Sequence, residues 1–549
     1  MTKYLFLFLS LAVFFSCKST QFTKRDIQKA QQLYGLEFTD QYVDTMQSYL
    51  VRNLSGYDSL RSYSLPHETF PSILFNPHPK GFQIPEIKDT FSIKSEAVIS
   101  LPSNKAEVAF YTIPQLAALL QSRQITSTEL TQLYLERLKK HNSTLQCAIT
   151  ITEELALSQA KQADEEIANG QYKGLLHGIP YGTKDLMSVE GYKTTWGAMP
   201  YKNQEINHTA TVIKKLEAAG AVLVAKLTSG ALARGDVWFD GKTKNPWDTL
   251  QGASGSSAGS GSATAAGLVG FSLGTETLGS ITSPSNRNGV SGLRPTYGRV
   301  SRDGVMSLSW SMDKVGPLCR SIQDCAIVFD AIRGQDASDM TTVNVGFAYD
   351  PNINIRQLKI GYLENEIKKD TTASGDNVRK ALQILDSLGI ERTPVHLPTK
   401  FPYAAFDIIL RAEAGAMFDE LVRSGKVDRM VQQSKRSRAN SLRQARFIPA
   451  VEYLQANRYR TLLIEEINEL FKEYDVIISP TFGGRQLLIT NLTGHPVVTI
   501  PTGFDKKGHP TGITFIGNLY QEGVILAFAN AFQQASGFHL KYPPLFSEP

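Results

Sequence analysis

The 549-residue chain is 42% hydrophobic and 20% charged, with four Cys and a net charge of only +5. Such a length buries a large core and allows roughly two to four domains, and the composition excludes a disordered, collagen-like or disulfide-framework protein. So mild a charge leaves no electrostatic footprint for nucleic acid; the densest basic run (Lys435, Arg436, Arg438, Arg443, Arg446) is interleaved with Ser, Gln and Asn and reads as a solvated helix face.

In chain order, Lys3 is followed by an apolar stretch from Tyr4 to Phe15, broken only by Ser10, and then by Ser16-Cys17. That stretch is too short to span a bilayer and has the form of a secretory signal core. A Cys directly behind it, after a small residue, resembles a bacterial lipoprotein processing site, although Phe14 stands where Leu is usual. Residues 1–17 are therefore expected to be a signal peptide and Cys17 the lipidation candidate. The protein would be exported and held at a membrane facing the periplasm or cell exterior, touching it only through that anchor. Residues 18–105 read as a helical segment followed by an arm. Helical patterns cover Thr23 to Tyr34, stopped by Gly35, and a stretch from Thr39 that repeats Tyr42, Met46, Tyr49 and Leu50. From Leu65 to Pro102, Pro66, Pro71, Pro77, Pro79, Pro85 and Pro102 interrupt any periodicity and predict an extended arm or linker.

The main body is assigned to residues 106–549. Thr126 and Glu129 form a capping-box pattern ahead of Leu130, Leu133, Tyr134 and Leu138 at helical spacing. Val222 to Ala225, Val476 to Ser479 and Val497 to Ile500 read as buried strands, and Thr211 to Ala219 and Gly523 to Ala535 as helices. That alternation predicts a layered α/β fold. Cys147, Cys319 and Cys325 match no metal-ligand spacing, and the stretch from Gly316 to Ile332 that holds the last two reads as a helix with buried thiols. No metal or cofactor is called for.

Gly252 to Ala263 (GASGSSAGSGSA) has the composition of a flexible linker, yet it runs directly into the small apolar residues Thr264 to Leu273, where no tether belongs. A phosphate loop would need Lys after its last Gly, and Ser260 follows Gly259. The catalytic reading is specific. Residues 254–267 (SGSSAGSGSATAAG), then Gly274-Thr275-Glu276-Thr277-Leu278-Gly279-Ser280-Ile281, resemble the signature of the amidase signature family. Leu176 to Asp185 upstream, Gly289 to Ser301 downstream, and Gly494-His495-Pro496 and Ile500 to Gly503 near the C-terminus extend the resemblance over about residues 110–540.

That resemblance implies a large, mixed, twisted β-sheet core flanked by helices (α/β/α), and hydrolysis of a small-molecule or peptide C-terminal amide without cofactor or metal. It implies that Lys184 takes a proton from Ser256, that Ser256 takes one from Ser280, and that Ser280 attacks the carbonyl to give an acyl-enzyme. It further implies a cis bond at Gly255–Ser256, support from Ser257, and an oxyanion hole made by the N–H groups of Thr277, Leu278, Gly279 and Ser280. The chemistry asks for this: a serine hydroxyl attacks only as a base removes its proton. Lysine serves as that base only when neutral, which requires burial to shift its pKa down by roughly three units. Several positions depart from the family pattern: Leu278 replaces Gly, Glu276 replaces Asp, Thr282 replaces an Arg suited to a substrate carboxylate, and near Lys226 Ala225 replaces Gly and Ala231 replaces Glu. Lys226, Asp185 and Arg294 read as structural, and Phe401, Tyr403, Phe406, Phe418 and Tyr453 are expected to line or cover the substrate channel. Two other readings stay open. One is the glutamine-hydrolysing component of a tRNA-dependent amidotransferase, against which stand the export signal and Thr282. The other is a catalytically silent binding homologue, against which stands the intact triad. The oligomeric state has no signal in the sequence.

Overall fold

Successive residues of a strand point to opposite faces, and in this chain both faces meet apolar layers. Val476 and Ile478 join one core with Val498, Ile500, Ile513 and Phe515. Ile477, Val497 and Ile516, their immediate neighbours in sequence, join a second core. Strands buried on both sides must be apolar at every position, which is why they read as unbroken apolar runs. The protein is represented by a computed structural model that describes residues 22–63, 65–91, 93 and 99–547. The signal segment and Cys17 lie outside the described residues.

The architecture is one 11-stranded mixed sheet flanked by helices. Its strands, numbered here along the chain, are β1 (Ala148–Ile151), β2 (Pro180–Lys184), β3 (Val222–Leu227), β4 (Phe271–Glu276), β5 (Ser291–Arg294), β6 (Lys314–Cys319), β7 (Ile360–Tyr362), β8 (Thr393–Pro394), β9 (Val476–Pro480), β10 (Val497–Phe504) and β11 (Pro510–Gly517). In space they run β8-β7-β9-β11-β10-β5-β6-β4-β2-β3-β1. The pairs β2–β3 and β2–β4 are parallel, while β6 returns antiparallel beside β4. The ends of β2 and β4 and the start of β6 therefore lie at one edge of the layer, the location where open α/β sheets bind ligands.

The predicted strands at 222, 476 and 497 are present as β3, β9 and β10, and the helices as Thr211–Ala218 and Glu522–Ser536. Thr126 caps the helix Ser127–Leu145 through the reciprocal box with Glu129. Three expectations change. The stretch from Gly316 to Ile332 is not one helix: its first part belongs to β6, inserted between β4 and β5, and a second capping box, Ser321 with Asp324, starts the helix Ile322–Ile332. Cys319 and Cys325 are nonetheless buried as expected, and with Cys147 they are free thiols. Phe401, Tyr403 and Phe406 pack into the second core and Phe418 into another cluster with Trp196 and Leu421, whereas Tyr453 borders a cavity of about 310 Å3. Only part of the basic run is solvated, because Arg438 is buried and donates to the carbonyls of Leu232 and Ala233.

By internal contacts the chain divides into two units, ending and beginning at Pro66 and His67. In the first, Thr23 caps the helix Lys24–Leu33, Gly35 takes φ +65°, and the helix Asp40–Arg61 follows. Val43 is that helix's buried position, while Tyr42 and Tyr49 of the predicted apolar repeat are exposed. The second unit opens with the Pro-rich stretch, whose regular structure among the described residues is the short strand Thr90–Phe91 paired with Ala348–Tyr349. Side chains hold this stretch to the body: Phe75 meets Tyr297 edge-on at 4.9 Å, and His78 Nε2 lies 2.6 Å from the Tyr520 hydroxyl.

Candidate active site

Lys184 is the last residue of β2 and is wholly buried. Its Nζ donates to Ser256 Oγ at 2.7 Å, to Thr275 Oγ1 at 2.9 Å and to Ser257 Oγ at 3.2 Å. All three partners are hydroxyls. Burial pushes the lysine pKa down from 10.5 to about 7, against the opposing pull of the Asp313 and Glu276 carboxylates. Those carboxylates are committed elsewhere. Asp313 accepts from Thr277 Oγ1 at 2.5 Å and from the N–H groups of Leu308 and Ser309 at 2.7 and 2.9 Å. Glu276 is paired with Arg294 at 2.7 Å. With neither acid touching it, the lysine keeps no full counter-charge, and desolvation decides its state.

The Ser/Gly segment is a close-packed corner. The peptide bond Gly255–Ser256 is cis. A Cβ on Gly255 would stand 1.9 Å from the Gly235 carbonyl oxygen, so no side chain fits there. Every residue of the helix Ala258–Ala265 that follows is buried. Gly274 on β4 serves the same closeness, since its Cβ would come within 2.7 Å of Ser257 Oγ. Ser257 is fixed by a double contact with Thr275, donating to its carbonyl at 3.1 Å and accepting from its N–H at 3.2 Å.

Ser280 joins this group through its backbone, its carbonyl accepting from Ser257 N–H at 3.2 Å. Among the described residues nothing hydrogen-bonds its hydroxyl, so the structure gathers Lys184, Ser256 and Ser257 directly and Ser280 by this tether. The chain just after it is held from below. Glu276 Oε2 accepts from the N–H groups of Ile281 and Thr282, both at 2.8 Å, while Oε1 takes Arg294 and Asn491. Burial raises the Glu276 pKa, but Arg294 and these donors outweigh it and bring it to about 2. Among the described residues none accepts a hydrogen bond from Thr277, Leu278, Gly279 or Ser280 N–H, which leaves four adjacent donors free. The departure at Leu278 is harmless to this loop, because the positive φ (88°) falls on Gly279 and the Leu278 side chain is 38% exposed. Thr282 is buried and offers no cation.

Several supports were absent from, or only partly read in, the sequence. Thr275 and Glu276 stood inside the quoted motif, but their roles come from packing. Asp313 carries no local signal, since only the antiparallel return of β6 brings it beside Thr277. Asp185 and Lys226 form a buried pair at 2.9 Å that ties the end of β2 to β3. His177 is a packed histidine, accepting from Lys173 N–H at Nδ1 and facing Glu166 at Nε2. Among the described residues no group of three or more His, Cys, Asp or Glu could hold a metal ion.

The family model described as Amidase matches residues 129–489. One similar protein is the first-lettered (A) component of the glutamyl-tRNA(Gln) amidotransferase of Alcanivorax borkumensis, 34% identical over 486 residues and covering 79% of this chain and 98% of the relative. Its counterpart in Brevibacillus brevis is 31% identical, covering 78% and 98%. Among solved structures, the native peptide amidase of Stenotrophomonas maltophilia superposes with TM-score 0.71 at 28% identity over 79% of this chain and 98% of that one. The corresponding amidotransferase component of Thermotoga maritima gives TM-score 0.66 at 28% identity over 78% and 95%.

The lysine environment has a measurable consequence for stability. The folded pKa near 7 lies below the 10.5 of an unfolded lysine, so between these values the unfolded chain binds a proton that the folded chain does not. Stability at this residue is therefore full above about pH 10.5 and falls by about 1.4 kcal/mol per unit as pH drops towards 7. Lys184→Met removes that burden while stranding hydroxyl partners worth about 1 kcal/mol each. The variant is expected to melt at a higher temperature than the parent at pH 7, with the gain vanishing or reversing near pH 10. Thermal melts at both pH values check this, and a pH-independent difference contradicts it.

Proposed function

Because the chain belongs to the amidase signature family and is an amide-hydrolysing enzyme, we propose that it cleaves carboxylic amides through a seryl acyl-enzyme formed at Ser280. The observation that supports this reading most strongly is the buried Lys184 side-chain nitrogen, 2.7 Å from Ser256 Oγ with only hydroxyls around it. Neutral Lys184 takes the Ser256 proton while Ser256 takes the proton of Ser280, whose oxygen attacks the amide carbon. The hydrogen bond from Ser280 to Ser256 that this step needs is of a kind that active sites commonly form or tighten only in the substrate complex. The same relay run backwards delivers a proton to the departing nitrogen, without which an amide anion would have to leave. Water then resolves the ester by the same base. The free N–H groups of residues 277–280 supply the donors for the tetrahedral oxyanion, each typically worth about 3–4 kcal/mol in the transition state. Glu276 acts through the loop, holding residues 281 and 282 so that those donors stay aimed.

A second reading, the glutamine-hydrolysing component of a tRNA-dependent amidotransferase, is favoured by the amidotransferase relatives. We prefer the free amidase because Thr282 gives no cation for the carboxylate of a glutamine, and because the N-terminus reads as an export signal. Purified alone, the enzyme is expected to hydrolyse members of a panel of aliphatic, aryl, fatty and peptide C-terminal amides faster than glutamine. Its kcat/KM should rise tenfold per pH unit below about 7 and level off above, since the base must lose its proton. Ser280→Ala and Lys184→Ala should each lower it by at least about 10³-fold. Glutamine as the sole substrate, cleaved only when other amidotransferase components are supplied, contradicts this reading.

We also propose that the chain is exported and lipid-anchored through Cys17. Among the described residues no helix is long and apolar enough to cross a membrane, so this reading places attachment on the lipid. Metabolic labelling with an alkyne fatty acid in a bacterial host should tag the membrane-bound parent and not Cys17→Ser. An untagged parent in the cytosolic fraction contradicts it.

A further inference from the structure

Two cavities flank the buried Arg302, and both take a wall from the Pro-rich arm. One, of about 350 Å3, is bounded by His67, Phe70, Trp196, Ile206 and Met306 among others. The other, of about 310 Å3, includes Phe70, Phe75, Tyr453 and Arg460. Their position relative to the reacting groups differs. A void with room for about one water molecule touches Thr275 and Thr277, a hydrogen-bond partner of Lys184 and the first free donor of the loop before Ser280. That void shares Arg302, Val305, Met306 and Ser307 with the larger cavity, but Arg302 alone with the smaller.

Resting on the reading of Ser280 as nucleophile, we propose that the 350 Å3 cavity is the subsite for the non-reacting part of the amide, that it takes an uncharged aryl or branched alkyl group, and that His67 and Phe70 of the arm are its specificity-determining wall. Its size falls in the range of small-molecule pockets, and Phe70, Trp196, Ile206, Val305 and Met306 give it an apolar side. The charges beside it are already used. Arg302 pairs with Asp339 and donates to the Trp310 carbonyl and to Thr341 Oγ1, and Asp303 is engaged by His208 and Thr211. A charged substituent would lose its hydration on entering, and Glu68 at the exposed edge repels an anion in particular.

The wall residues are held by their neighbours in the protein. The Arg302 guanidinium lies 5.1 Å from the Phe70 ring and 4.9 Å from that of Tyr297. Arg460 lies 3.6 Å from Phe75, and His67 meets Trp196 edge-on at 4.9 Å. Cation–π contacts of this kind hold an aromatic ring in place by one face and leave its edge and other face for further contacts. The arm thus brings aromatic surface towards a site whose groups lie at the end of β2 and in the loops after β4 and before the helix Ala258–Ala265.

The test compares 2-phenylacetamide with acetamide in the full-length enzyme. Phe70→Ala is expected to lower the ratio of their kcat/KM values by at least about tenfold, mainly through KM, and Phe70→Leu to restore most of it. His67→Ala, at the rim, guards against a general loss of fold in the Phe70 variant and should lower the ratio in the same direction. Ile84→Ser, on an exposed part of the arm, should leave it where it was. A ratio unchanged in both Phe70→Ala and His67→Ala, or lowered equally by Ile84→Ser, overturns the proposal. If the parent hydrolyses neither amide, the reading of the reaction fails, and the subsite is judged by calorimetric binding of 2-phenylacetamide. Binding weakened at least about tenfold by Phe70→Ala then supports it, and no binding, or binding indifferent to that change, overturns it.

Discussion

A primary ammonium group sealed from water and given no carboxylate partner is costly to keep charged. Lys184 meets that condition, with its Nζ surrounded by Ser256, Ser257 and Thr275 hydroxyls. Much of the neighbouring architecture serves this arrangement. The nearest carboxylates are occupied, Asp313 by Thr277 and two backbone donors and Glu276 by Arg294, Asn491 and the loop after Ser280. Had either acid turned to the lysine, an ordinary buried ion pair would have formed and held it charged. Asp185 and Lys226 show the contrast a few residues away, where a buried lysine does keep an acid and reads as structure.

The glycine and serine richness of the segment after Gly252 follows from the same arrangement. The chain must pass close enough to β2 and β4 for small hydroxyls to reach the lysine. At Gly255 and Gly274 even a methyl group would collide with the backbone of Gly235 or the side chain of Ser257. What resembles a linker in composition is among the most tightly packed parts of the molecule.

The layered α/β fold was legible because the strands are buried on both faces and so appear as apolar runs, as at Val476 to Ser479 and Val497 to Ile500. Helix starts were legible where a capping box was read, as at Thr126. The expectation of one helix over 316–332 failed because β6 is as apolar as a helix core, and only the Ser321–Asp324 box marks the change. The Lys184 and Ser256 positions were legible through the motif alone, since nothing in residue spacing sets residues 184, 256 and 280 together. Asp313 was not, because strand pairing rather than sequence proximity brings it in. The aromatic residues from 401 to 406 were misplaced for a related reason: apolarity states that a side chain is buried, not whether against a core or a ligand. The arm at 67–75, which read as a mere covering or linker, supplies aromatic residues to the cavities beside Arg302.

Nitrogen-15 NMR of the full-length enzyme labelled at lysine Nζ, titrated from pH 5 to 10 and assigned with Lys184→Met, reports the ionisation of this one group directly. A neutral base beside Ser256 requires a single lysine signal that changes between its charged and neutral positions near pH 7. A Lys184 signal that stays in the ammonium position up to pH 10 would contradict it and leave Ser256 without a base.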